Sequence, residues 1–211
     1  IISTSRAITF NCTFGYVLGP NLPSTYSCYN PTIANLNENQ NLTAITGQHH
    51  DGKTNNDVKL IGIYNNPHLT FFPRAIENFF PNLEAINIWN SNISTLNGDE
   101  LKPFRNLSWL SFTFSPHLEK IPGNLFDSTP LVRHISFQSN NIKHVDAGLF
   151  NSLPNLIFLD FQQNHCVNRD ASGINAVRSL IAHLRNNCTG IDVTTTTKRV
   201  TTTTTTTPVR T

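Results

Sequence analysis

Two adjacent histidines followed by an aspartate, in "QHHDG" at 48–52, bring three side chains able to bind a metal within three residues: His49, His50 and Asp51. Neighbouring residues of an extended chain point opposite ways, and no second cluster at helical or hairpin spacing completes a ligand set. The segment reads as a solvent-exposed loop without a metal. "DGKTNND" at 51–57 lacks the alternating oxygen ligands and closing Glu of a calcium loop, so it reads as a turn. His165 beside Cys166 juxtaposes a base and a nucleophile, yet a bridged cysteine has no thiolate to activate. No GxSxG, P-loop or dinucleotide fingerprint occurs. The expectation is a chain that is not an enzyme and uses no cofactor.

With catalysis set aside, function must come from a surface, and a repeat arranges that surface. Five segments fall into one apolar register: "VKLIGIYNN" from Val58, "LEAINIWNS" from Leu83, "LSWLSFTFS" from Leu107, "VRHISFQSN" from Val132 and "LIFLDFQQN" from Leu156. Their starts are 25, 24, 25 and 24 residues apart. Positions one, four and six are apolar in all five, and alternation at four and six is how a short strand buries one face. Position nine is Asn66, Ser91, Ser115, Asn140 and Asn164, polar groups suited to bonding the backbone where a strand turns a corner. Two further apolar groups come after each strand, so every coil points its large side chains inward and only stacking closes the core.

Positions two, three, five, seven and eight then face away from that core and tile one concave sheet. They carry an excess of rings: Tyr64, Trp89, Trp109, Phe114, His134 and Phe158. Aromatic side chains flanked by Asn, Gln and Ser are the material of protein- and sugar-binding patches. These six are the expected ligand-binding residues. Five strands span roughly 25 Å, enough for a protein patch or a short glycan.

The four cysteines lie outside the repeat and close its ends. Cys12 and Cys28 fall in two β-prone runs joined by "GPNLP", and Cys166 and Cys188 bracket "GINAVRSLIAHLRNN", whose Ile174, Val177, Ile181 and Leu184 recur at a helical period. No spacing is a CxxC or a zinc pattern, so disulfides by proximity, Cys12–Cys28 and Cys166–Cys188, are favoured over metal. Each bridge contributes about 3 kcal/mol in the chain-entropy model. "NLTAIT" at 41–46 reads as one more strand, between the first cap and the first repeat.

Regular coils with cysteine-bearing ends resemble the extracellular leucine-rich-repeat family, at about 24 residues per repeat. The resemblance covers about residues 10–190, with Phe or Ile often standing where the family prefers Leu. The lead-in "ITGQHHDGKTNNDV" is similar to that of secreted repeat proteins of insects. The implied fold is an α/β repeat solenoid: a parallel concave β-sheet, a disulfide-clipped N-terminal hairpin cap and a C-terminal helical cap. The corresponding divisions are 1–57 for cap and entry coil, 58–165 for five repeats, 166–190 for the second cap, and 191–211 for a tail.

Other features point to secretion. Asn-x-Ser/Thr sequons occur at Asn11, Asn41, Asn92, Asn106 and Asn187, none in the middle of a concave strand, so N-glycans there would decorate rim and ends. The tail is a threonine tract whose Thr194, Thr195, Thr196, Thr197, Thr201, Thr202, Thr203, Thr204, Thr205, Thr206 and Thr207 read as O-glycosylation sites on a disordered, mucin-like stalk. Lys198–Arg199 within it reads as a dibasic processing site. The chain opens on "IISTSRAITF" without a signal peptide and is expected to be a mature secreted form. Net charge of +2 is too small to argue for nucleic acid as a partner, and with no apolar run of eighteen residues no transmembrane segment is expected.

The expected function is recognition: a non-enzymatic extracellular protein binding a protein or glycan partner on its concave face. The resemblance implies an innate-immune or receptor-like context among others, and a homodimer is geometrically open. The alternative is a structural glycoprotein of a matrix or mucin-like secretion, in which the tail does most of the work.

Overall fold

Each apolar register places one strand in a single sheet, because positions four and six need a common interior and the stacked coils supply it. The structure, a computed structural model, describes residues 8–19, 22–34 and 41–189. The threonine tract, the Lys198–Arg199 pair and residues 20–21 of the cap turn lie outside the described residues. Strands β1 (Ile8–Gly19), β2 (Leu22–Ala34) and β3 (Leu42–Thr46) precede the repeats. The repeat strands are β4 (Leu60–Asn66), β5 (Ala85–Ser91), β6 (Trp109–Thr113), β8 (His134–Ser136) and β10 (Phe158–Asp160). Two short convex strands, β7 (Lys120–Ile121) and β9 (His144–Val145), pair in parallel; β11 (Asp170–Ser172) and helix α1 (Ile174–Asn187) end the fold.

The main sheet has nine strands in the order β11-β10-β8-β6-β5-β4-β2-β1-β3. From β2 to β10 every neighbouring pair is parallel and in register, as coils stacked one on the next require. Positions one, four and six of all five coils are buried. Phenylalanines run through this core: Phe112 packs between Phe72 and Phe137, with ring centroids at 5.9 and 6.3 Å, and Phe137 meets Phe161 at 5.4 Å. Their volume takes the place of the branched aliphatic residues usual in such coils. Among the described residues no helix is long and apolar enough to cross a membrane.

Both ends are lidded, each in a way that corrects an expectation. Cys12 and Cys28 bridge the β1–β2 hairpin with Cα atoms 5.2 Å apart, and β2 offers its free edge directly to β4. β3 therefore does not lie between cap and first repeat. It pairs with β1 at the outer edge of the sheet and reaches round to the first coil, where the Leu42 amide donates to the Arg74 carbonyl at 2.9 Å. Wrapping in this way buries Ile8, Phe10, Phe14 and Leu42 over the open end of the core.

At the other end the Cys166–Cys188 bridge (Cα–Cα 5.3 Å) ties α1 back, but the buried stripe of the helix is Val177, Leu180 and Leu184. Ile174 is exposed at the rim instead, because it opens the helix beyond the edge of the last coil. β11, which the sequence does not announce, pairs antiparallel with β10 and closes the sheet edge above it.

The corner ladder is shorter than position nine predicts. Asn140 Nδ2 donates to the Phe112 and Phe137 carbonyls at 2.7 and 2.8 Å, while its Oδ1 accepts from the Ser115 amide at 2.7 Å. Asn164 repeats this one coil on, donating to Phe137 and Phe161 and accepting from the Ile142 amide. Ser91 and Ser115 do not join: among the described residues their buried hydroxyls have no partner. A serine side chain is too short to span from one coil's corner to the carbonyl of its neighbour.

Candidate functional site

Alternation along the repeat strands turns positions three, five and seven outward, and register aligns them in rows across the sheet. The position-five row is Gly62, Asn87, Ser111, Ser136 and Asp160; the position-seven row begins Tyr64, Trp89, Thr113. Across these rows and part of the position-three row runs a groove of about 500 Å³, lined by Tyr64, Asn87, Trp89, Trp109, Ser111, Thr113, Ile135, Ser136, Gln138, Phe158 and Asp160. That volume lies within the range of small-ligand clefts, about 300–1,000 Å³.

Four of the six ring-bearing residues singled out from the sequence line this groove, though in different ways. Trp89 is 38% exposed, more than the other rings that line the groove. Tyr64 folds down over Gly62, where a Cβ would collide with the phenol oxygen, and accepts a long hydrogen bond from Asn87 Nδ2 at 3.4 Å. Burial holds the Tyr64 phenol above its ordinary pKa, and the Asn87 bond opposes that shift. Phe158 sits half-buried at the C-terminal end of the groove. Trp109 is only 8% exposed and is no free ring: it packs with Leu60 and Ala85, the two position-three residues in register with it, because the small Ala85 leaves room for the indole.

The other two lie outside the lining. Phe114 stands 5.6 Å from Trp89, edge to face, and buttresses it. His134 turns to the rim, 6.1 Å from the Phe158 ring, beside a second cavity of about 340 Å³ that Pro23 of the cap hairpin also lines. Burial and then the neighbouring Arg133 lower the His134 pKa, so it is neutral at physiological pH.

Phe114 has a further peculiarity. The residue at position eight adopts a left-handed backbone in every coil: Asn65, Asn90, Phe114, Ser139 and Gln163 have φ between 53° and 56°. Four of these are polar. Asn90 Nδ2 bonds Asn65 Oδ1 at 2.7 Å, and Ser139 Oγ bonds Gln163 Oε1. A bulky aromatic is strained at such a φ, and here it stands on the coil next to Trp89 and packs against it.

The polar floor is the part of the site that ring content does not flag. Position five was legible as outward-facing, and its run of Asn, Ser, Ser and Asp was the available signal. Asp160 is 7% exposed; its Oδ1 accepts from the Gln162 amide at 2.8 Å and its Oδ2 from Ser136 Oγ at 3.4 Å. Burial raises its pKa, the nearby Asp170 adds to the rise, and the two hydrogen bonds oppose it. Well below the unfolded Asp value of about 3.9 the carboxyl is protonated in both folded and unfolded chains. As pH rises through the elevated folded-state value, the folded chain must release a proton it holds more tightly, and stability falls. Asp160→Asn, which can keep the Gln162 bond, is therefore expected to gain in melting temperature relative to the parent between pH 4 and pH 7. A difference that stays constant with pH would show that Asp160 ionises without penalty.

The loop at 48–52 leaves Gln48, His50, Asp51 and Gly52 exposed as expected, but docks His49 onto the N-terminal cap. His49 stacks on Phe14 with centroids 3.7 Å apart, and its two ring nitrogens bond Tyr26 Oη and Asn55 Oδ1, each at 3.0 Å. Hydrogen bonding to the cap wall, a tertiary contact, holds it there. The adjoining turn is closed by Thr54 and Asp57, whose side chains cap the short 3₁₀ segment Asn55–Asp57.

Neither a family model nor a curated protein matches this chain. Among solved structures it is similar to a chain of the LRIM1/APL1C complex, with a TM-score of 0.50 and 11% identity over 76% of this chain and 32% of that one. It is also similar to a chain of the Drosophila Toll–Spätzle complex, with a TM-score of 0.45 and 16% identity over 59% of this chain and 17% of that one. The glycosylated form of that complex gives a TM-score of 0.46 and 14% identity over 59% and 19%. The chain thus spans a third or less of the length of these structures, and the likeness is one of fold. That fold is a leucine-rich-repeat solenoid with a parallel sheet, two disulfides and a C-terminal helix.

Proposed function

We propose that this chain is a non-enzymatic extracellular recognition protein that takes a protein or glycan on its concave face. The observation that carries this reading is the groove of about 500 Å³, with the exposed ring of Trp89 on one side and a floor of hydroxyl, amide and carboxylate groups. Both disulfides support an oxidising compartment. So does the placement of the sequons: Asn11, Asn41, Asn106 and Asn187 are exposed, and Asn92 is half-buried with its amide on the Pro67 carbonyl. None lines the groove, so N-glycans on these residues would leave it open.

The test is binding of the full, glycosylated chain to panels of extracellular proteins and oligosaccharides, with Trp89→Ala in parallel. Trp109→Ala is unsuitable, since it would open a cavity beside Leu60 and Ala85. The expected result is a ligand whose affinity falls at least tenfold in the Trp89 variant while the melting temperature holds. Binding that ignores Trp89 and needs residues 191–211 would favour a structural glycoprotein acting through its tail.

A further inference from the structure

Strand β6 lies in the middle of the repeat sheet and sends Ser111 and Thr113 into the groove. These residues are only 5% and 6% exposed, and among the described residues neither hydroxyl has a hydrogen-bond partner. Buried hydroxyls elsewhere find local carbonyls: Ser27 Oγ bonds Thr25 O at 2.7 Å, and Thr129 Oγ1 bonds Phe126 O at 3.3 Å. Ser91 and Ser115 are also unpartnered, but they sit enclosed at the coil corners, where no ligand reaches. A nearly buried hydroxyl that opens onto a groove and has no protein partner is set for a ligand that both donates and accepts.

Resting on the concave-face reading and narrowing it, we infer that the groove binds a neutral glycan. A pyranose ring lies on the Trp89 face and its hydroxyls meet Ser111, Thr113 and Asp160. Trp89 and Thr113 are in register on adjacent strands, so a ring stacked on the indole extends over the β6 hydroxyls. Phe114, in an edge-to-face pair with Trp89, restrains the indole. No Lys or Arg lines the groove, which disfavours phosphate, sulfate or carboxylate ligands. A basic side chain would suit Asp160 and the aromatic wall. It brings donors only, however, and leaves the Ser111 and Thr113 protons unmatched, whereas a sugar hydroxyl both gives and takes a hydrogen bond.

The experiment uses the full glycosylated chain on an array of neutral oligosaccharides built on glucose, galactose, mannose and N-acetylglucosamine, with Lys- and Arg-rich peptides alongside. At least one neutral sugar should bind and change tryptophan fluorescence on titration. Trp89→Ala should weaken it at least tenfold and Thr113→Val at least threefold. Thr113→Val should not lower the melting temperature, because that hydroxyl has no protein partner to lose. A peptide or protein ligand that needs Trp89, with no sugar bound, overturns the glycan assignment and leaves concave-face recognition standing. Sugar binding indifferent to both substitutions, or no ligand of any class, overturns both.

Discussion

Asn140→Ala is expected to lower the unfolding free energy by about 2–3 kcal/mol, because it strips the Phe112 carbonyl and the Ser115 amide of this partner at once. The Phe112 and Phe137 carbonyls and the Ser115 amide all bond this one side chain, which is itself buried. The Phe137 carbonyl keeps its bond from Asn164 Nδ2 at 2.7 Å, while each of the other two groups costs about 1–3 kcal/mol when left unpaired, the sum being reduced by local relaxation. The measurement is a urea midpoint at unchanged slope. Ser115→Ala is the matched control at the same corner, expected to change stability by less than about 0.5 kcal/mol, since that hydroxyl has no partner. Equal effects from the two variants would mean that packing, rather than the amide ladder, holds the corner.

Phe114→Asn is expected to move stability and binding in opposite directions. A left-handed backbone costs an ordinary L-residue about 1–2 kcal/mol, and asparagine is among the residues that tolerate it. Loss of the edge-to-face contact with Trp89 gives back about 0.5–1 kcal/mol. The difference between these two terms is a net gain of up to about 1.5 kcal/mol, read from urea unfolding. Ligand affinity should fall at least tenfold, since Trp89 loses its buttress. This coil would then match the other four, which place Asn, Ser or Gln at the same φ. A variant that is less stable and binds unchanged would make Phe114 a packing residue and leave the strain without a functional role.

The candidate site was legible in part. Trp89 and Tyr64 were visible as outward rings because alternation in a strand sets their direction without regard to neighbours. Trp109 has the same direction by the same rule, yet it is covered, because whether an outward ring is free depends on Leu60 and Ala85 in two other coils. Ser111 and Thr113 carry no signal of their own. What distinguishes them is the lack of a partner, and that is a property of the assembled sheet.

The two ends of the chain divide in the same way. Cys166–Cys188 and the helix between them arise from local spacing, but β11 and the route of β3 around β1 depend on which sheet edges the rest of the fold leaves open. His49 was expected in solvent, and its contacts with Phe14, Tyr26 and Asn55 come from the hairpin and the adjoining turn.

By itself the sequence determined the coil, its period and its core, because a buried face must recur wherever a strand recurs, and that recurrence is written residue by residue. It also determined the two bridges, since their cysteines are near neighbours along the chain. Only the tertiary structure decided which outward residues stay open, which corners are bonded and where the groove lies. Those depend on the volume and reach of side chains from different coils, which meet only when the coils are stacked.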